Sequence, residues 1–76
     1  MNKKDRIESL LYFDGKNGIY HINGMCIFAD KFEFERNFIK FYTKTLNYKD
    51  GRFFNSYSFN AFIYINDIKT IDGVVV

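Results

Sequence analysis

Residues 30–46, DKFEFERNFIKFYTKTL, constrain the fold more than any other stretch of the sequence. Stepped at ~100° per residue, Phe32, Phe34, Phe38, Ile39, Phe41, Tyr42 and Leu46 gather on one half of a helical wheel. Glu33, Arg36, Asn37, Lys40, Thr43 and Lys44 take the other half, with Lys31, Glu35 and Thr45 as exceptions. A strand fits less well, because the neighbours Phe38 and Ile39 would face opposite ways. Asp30 is placed to cap a helix by accepting from the Glu33 N–H, and Glu33 to reach back to the Asp30 N–H. A stop follows near Asp50-Gly51, a turn pair. The spacing therefore predicts one amphipathic helix over about 31–46, against the strand preference of Phe, Tyr, Ile and Thr. Packing of an apolar face ordinarily overrides such propensities.

The flanking sequence is read from local signals. Residues 2–12 suit a short N-terminal helix capped by Asn2, with Ile7, Leu10 and Leu11 on one face. Residues 13–18 form a loop. Residues 19–28, IYHI-NG-MCIF, are a hairpin about Asn23-Gly24, the preferred pair for a type I′ turn. That register sets Ile22 opposite Met25, His21 opposite Cys26, Tyr20 opposite Ile27 and Ile19 opposite Phe28. Both faces are largely apolar, so each needs a cover. Residues 52–59 read as a strand, with a turn at Asn60 and Ala61. Residues 62–71 then suggest a second hairpin about Asn66-Asp67, and Gly73 permits a bulge before Val74.

The assembled expectation is an α+β fold in a single domain, residues 1–76: an antiparallel sheet of four to five strands, the 31–46 helix packed on it, and a short N-terminal helix. If residues 31–46 were instead two strands, the chain would become an all-β small barrel of the SH3-like kind. The ending FIYI-NDI-KTIDGVVV looks somewhat like the close of such a barrel.

A chain of 76 residues buries only about 60–65% of its unfolded surface. Ten Phe and six Tyr offset that with large apolar side chains. The lone Cys26 excludes an internal disulfide and a four-cysteine zinc site. No secretory h-region or long apolar run is present, so the cytoplasm is the expected location and no membrane partner is expected. A net charge of +2 announces neither a nucleic-acid binder nor a DNA mimic. Richness in Lys, Asn, Ile, Phe and Tyr without Pro fits an A/T-rich coding sequence, such as that of a low-GC bacterium or its phage.

His21 and Cys26, facing one another on the hairpin, come nearest to reactive chemistry. The sequence places no carboxylate to orient the imidazole, and free Cys is commonly buried, so packing is the favoured role and no catalytic or metal residue is expected. Arg36, Lys40 and Lys44 recur at i, i+4 and i+8 and would line the outer face of the expected helix, where phosphates or an acidic protein could dock. The aromatics exceed what a small core hides, so members of Tyr48, Phe53, Phe54, Tyr57, Phe59 and Tyr64 should be exposed, near Lys49, Arg52 and Lys69. Nucleotide-binding loops, zinc-protease, EF-hand and nucleophile-elbow motifs are all missing. These features favour a small non-enzymatic interaction module without cofactors, binding a larger protein or assembly through Arg36, Lys40, Lys44, Arg52, Tyr57 and Tyr64. An inhibitor of host defence machinery, encoded by a phage or mobile element and acting in the host cytoplasm, is the form this would take. A nucleic-acid-binding module is the alternative, and a homodimer would be one way to cover the aromatics.

Overall fold

In the computed structural model, which describes residues 2–76, Asn2 caps helix α1 (Lys3–Asp14) as the sequence leads one to expect: its side chain accepts the Asp5 N–H at 2.8 Å. Ile7 and Leu11, a turn apart, are fully buried. A 3-10 turn, Gly15–Asn17, and Gly18 at φ 76° lead into strand β1 (Ile19–Ile22). Strand β2 (Met25–Phe28) pairs back on it in the expected register, through Asn23 (φ 53°) and Gly24 (φ 78°). Tyr20 and Ile22 face the core, while Cys26 and Phe28 on the opposite side are exposed.

The predicted 31–46 helix does not form. The segment is two antiparallel strands, β3 (Lys31–Glu35) and β4 (Phe38–Lys49), joined by Arg36 and Asn37. Phe32 and Phe34 on β3 pack against the core, as do the fully buried Ile39 and Phe41 on β4. Phe38, next to Ile39, points the other way, and that side is also apolar. A strand that is apolar on both faces imitates one broad helical face, so the wheel could not separate the two. Strand propensity prevailed because a third strand supplies partners along the whole length of β4. Asp30 is correspondingly no helix cap. Its N–H donates to the Tyr42 carbonyl at 2.8 Å, and its carboxylate accepts the Lys44 N–H at 2.5 Å, which fixes the start of β3 against β4.

That third strand is β5 (Arg52–Tyr64), joined to β4 by a turn at Asp50 (φ 54°) and Gly51 (φ 75°). It runs straight through the turn expected at Asn60 and Ala61. There a bulge sets Ala61 opposite Phe41 and Phe59 opposite Tyr42, leaving Asn60 unpaired. The Asn60 side chain donates to the Phe28 carbonyl and tethers the bulge to β2. The expected Asn66-Asp67 hairpin is also absent, because residues 62–64 pair with residues 38–40 and Ile65–Asp67 is a 3-10 turn. The final hairpin is instead β6 (Thr70–Ile71) and β7 (Val74–Val75), turning at Asp72 (φ 50°) and Gly73 (φ 78°), where a bulge was expected.

The fold is thus α+β, as expected, but built from two antiparallel sheets, β2-β1-β6-β7 and β3-β4-β5, without a closed barrel. Helix α1 and both sheets enclose the core of Ile7, Leu11, Tyr20, Ile22, Ile39, Phe41, Ile68 and Ile71. Buried residues on β4 stop at Phe41, and from Thr43 outward the β4–β5 ribbon carries no fully buried side chain. It projects as an arm, giving the molecule extents of 47 × 24 × 19 Å. Among the described residues, no helix is long and apolar enough to cross a membrane.

Candidate functional site

Strand alternation and the β4–β5 register build one continuous outer face. Phe38, Lys40, Tyr42, Lys44, Leu46 and Tyr48 lie on β4, opposite Tyr64, Phe62, Phe59, Tyr57, Asn55 and Phe53 on β5. The bulge at Asn60 keeps Phe59 and Phe62 on the same side. Rings meet along the face: Phe38 with Phe62 at 5.7 Å and with Tyr64 at 6.0 Å between centroids, Phe59 with Phe62 at 6.2 Å, Tyr42 with Phe59 at 6.3 Å, and Tyr48 with Phe53 at 4.9 Å. Phe38 and Tyr42 are partly buried, while the others, with Tyr57, stay open to solvent, from 47% at Tyr57 to 70% at Phe53. A shallow apolar cleft of about 300 Å³ lies among Phe38, Lys40, Phe59, Phe62 and Tyr64. Contiguous exposed apolar surface of this extent is uncommon on monomeric proteins.

The charges on this face are largely paired. Lys31 Nζ lies 3.0 Å from Glu33, 4.1 Å from the centre of the Tyr57 ring and 5.2 Å from that of Tyr42. Lys40 Nζ lies 3.5 Å from Glu35 and 5.9 Å from the centre of the Phe38 ring. Lys44, further out, has neither kind of contact among those formed by the described residues. The expected Arg36–Lys40–Lys44 stripe is not a unit, because it required a helix. Arg36 sits in the β3–β4 turn, while Lys40 and Lys44 flank Tyr42 on the outer face, about 13 Å apart at strand rise. Of the other expected residues, Tyr57 and Tyr64 share this face, and Arg52 lies at the arm tip opposite Lys49. Phe38 and Phe62 were missed. Their signal was present in the alternation of residues 38–42, but the helical wheel had assigned Phe38 to the core.

His21 gains an orienting carboxylate that the sequence could not place. Asp14, at the end of α1, accepts the His21 N–H at 2.5 Å through Oδ2, and its Oδ1 lies 2.9 Å from His21 Nδ1. The Asp14 side chain is only 4% exposed, against 45% for that of His21. The hydrogen bond to Asp14, reinforced by its charge and that of Asp72, raises the His21 pKa above its ordinary value despite some opposing desolvation. Asp14, His21 and Asp72 place donor atoms within 4.8 Å of one another. Both Asp14 oxygens already hold His21, so the trio reads as a clasp between helix and hairpin. Cys26 lies opposite His21 on the sheet with an exposed thiol, and no hydrogen bond among the described residues joins it to the ring.

A larger hollow, about 440 Å³, opens between the end of α1 and β3. Its Lys31 and Glu33 pair with each other and its Asp30 is occupied by the Lys44 N–H, so it offers little unspent charge. Burial, then the charges of Asp14 and Asp30, push up the pKa of the Tyr20 hydroxyl at its edge. No family model, curated protein or solved structure matches this chain, so its function is read from the geometry of the face, the arm and the clasp.

Proposed function

We propose that this chain is a small non-enzymatic interaction module that docks the aromatic outer face of β3–β4–β5 on a larger protein or assembly. One observation carries the reading: a continuous strip of half-exposed rings, from Tyr64 and Phe62 through Phe59 and Tyr57 to Phe53, on one face of an antiparallel ribbon. Tyr and Phe on a preorganised strand lose little rotamer freedom on binding and dominate interface energetics. The near balance of Lys31, Lys40 and Lys44 against Glu33 and Glu35 suits a protein surface better than a phosphate backbone. The biological form proposed for it is an inhibitor encoded by a phage or mobile element, acting on host machinery in the cytoplasm.

Affinity capture from lysate, with and without nuclease, tests the reading. The wild-type chain should retain a protein after nuclease treatment, and a Phe59→Ser/Phe62→Ser variant that still folds should lose it. Capture of nucleic acid with no protein would refute the reading. The alternative, binding of single-stranded nucleic acid, draws on Lys40 and Lys44 flanking Tyr42 beside Phe59 and Tyr57. It requires affinity that falls linearly in log K against log salt and that drops in a Lys40→Ala/Lys44→Ala variant.

A further inference from the structure

We propose that two copies of this chain pair antiparallel through the free edge of β5, about a two-fold axis at Ser56. Four strands of the fold are sheet edges: β2, β7, β3 and β5. The first two are short, at 4 and 2 residues. The third carries Lys31, Glu33 and Glu35, charges that discourage edge pairing. β5 is 13 residues long, and from Phe53 to Tyr64 it contains no charged residue, no Pro and no Gly. Asn60 marks where the body of the protein meets it, through the Phe28 carbonyl. Over residues 53–59, β4 is its only hydrogen-bonded neighbour among the described residues.

The backbone directions follow from bonds already described. The Tyr42 carbonyl accepts from Asp30 and the Lys44 N–H donates to the Asp30 carboxylate, so both residues point away from β5. Their partners Phe59 and Tyr57 are therefore in non-hydrogen-bonded pairs and point away from β4. By alternation Asn55 and Phe53 do the same. The free edge thus presents the N–H and C=O groups of Phe53, Asn55, Tyr57 and Phe59. Antiparallel pairing about Ser56 sets Asn55 opposite the partner copy's Tyr57 and Phe53 opposite its Phe59, all on the outer face. Each of these pairs can exchange two hydrogen bonds. The aromatic pair is a favourable cross-strand combination, and no like charges oppose one another.

The area fits a second copy at low affinity. Phe53, Tyr57 and Phe59 are 70%, 47% and 55% exposed, which at about 200 Å² a ring leaves on the order of 350 Å² per copy. Doubling this gives about 700 Å² as an upper bound, because the rings keep their outer faces open on the extended sheet, so even with the paired backbone the contact lies below the ~1,200 Å² of specific interfaces and the dimer is a weak one. The dimer would be a six-stranded sheet with one aromatic face of twice the length. This pairing uses the edge, so it stands whether or not the face binds another protein.

Sedimentation of the full chain over a concentration series, with amide exchange read by NMR, provides the test. Mass should double as concentration rises. The Phe53, Asn55, Tyr57 and Phe59 amides should slow in step, while those of Phe54, Ser56 and Ser58, already bonded to β4, should change little. Asn55→Pro removes an N–H that points away from β4, so it should leave a folded monomer. Ser56→Lys and Ser56→Asp should each weaken the dimer by more than about tenfold, because like charges meet on the axis, and an equal mixture of the two should restore it. A wild-type chain that stays monomeric, or a mixture that does not recover, overturns the proposal. If the monomeric wild type still captured a protein and Asn55→Pro abolished that capture, the edge would belong to a foreign strand instead. A dimer that captures no protein would remove the functional proposal and leave this one intact.

Discussion

At the residue scale, two positions join α1 to the first hairpin, and each yields a measurable consequence. Gly15 has an ordinary φ of −80°, so its need for glycine is one of space rather than backbone conformation. A Cβ there would lie 2.1 Å from Tyr20 Cε1 and 2.3 Å from Cζ. The Tyr20 ring is 4% exposed and held against Phe41 at 5.1 Å and Phe32 at 5.9 Å, so it has little freedom to retreat. Gly15→Ala should cost about 1–3 kcal/mol in urea unfolding, with part of the loss recovered in Gly15→Ala/Tyr20→Leu. An unchanged midpoint for the single variant would mean that the ring does move. At His21 the raised pKa gives a signed pH dependence. The imidazolium bound to Asp14 contributes stability that is fully present below about 6.5, the unfolded value, and is lost as pH rises through the higher folded value. The Asp14 bond to the His21 N–H persists at either end, so the loss is partial. NMR titration should place the His21 midpoint above 6.5 in the wild type and closer to 6.5 in Asp14→Asn, whose stability should vary less between pH 6 and 8. A wild-type midpoint at or below 6.5 would refute the clasp.

At the scale of elements, the β4–β5 ribbon divides into two parts with different roles. Its proximal half supplies Ile39 and Phe41 to the core, and its distal half has solvent on both faces. An isolated two-stranded ribbon is only marginally stable, so the distal half should contribute little to folding. Removing residues 46–55 and closing Thr45 to Ser56 with Asn-Gly should therefore shift unfolding by less than about 1 kcal/mol, while weakening the capture proposed for the aromatic face, which loses Tyr48 and Phe53 but keeps Phe38, Phe59, Phe62 and Tyr64. A large loss of stability would show that the arm is structural. The same ribbon explains what the sequence could disclose. Hairpin β1–β2 and helix α1 were legible because Asn23-Gly24 and the Asn2 cap are local signals, and both appear in the expected place and register. The β3–β4 turn was not, because Arg36 and Asn37 turn without a positive φ and without the glycine-containing pair that marks the other hairpins. Strand β6 lies within the second strand of the hairpin expected over 62–71, but its pairing with β1 at Ile22, far away in sequence, was not legible. Lys40, Lys44, Tyr57 and Tyr64 lie on one strand face, which the helix assumed for residues 31–46 hid from view. Phe38 was placed in the core for that reason.

At the scale of the molecule, the chain closes through its last residues. Ile71 pairs with Ile22, the Asp72 N–H donates to the His21 carbonyl at 2.8 Å, and the Asn23 N–H donates to the Thr70 carbonyl at 3.0 Å. The Asn23 side chain adds bonds to Lys69 N–H at 2.7 Å and to the Asp67 carbonyl at 2.8 Å, so one turn residue also stitches the C-terminal segment in place. Arg6 on α1 reaches the Val75 carbonyl at 2.8 Å. The C-terminal hairpin is thus joined to both the first helix and the first strand, and the body should unfold as one cooperative unit. A chain of 76 residues has a total stability of about 4–11 kcal/mol. Ile71 is fully buried, so Ile71→Ala should cost about 2–5 kcal/mol, a large share of that total. Val75 is 69% exposed, and Val75→Ala should stay within about 0.5 kcal/mol because the Arg6 bond is to its backbone. Thermal unfolding of Ile71→Ala should remain a single transition at a lower midpoint, followed in step by the His21 and Tyr20 resonances. If those resonances persisted while the C-terminal hairpin alone melted, the closure would be an appendage and the core would not depend on it.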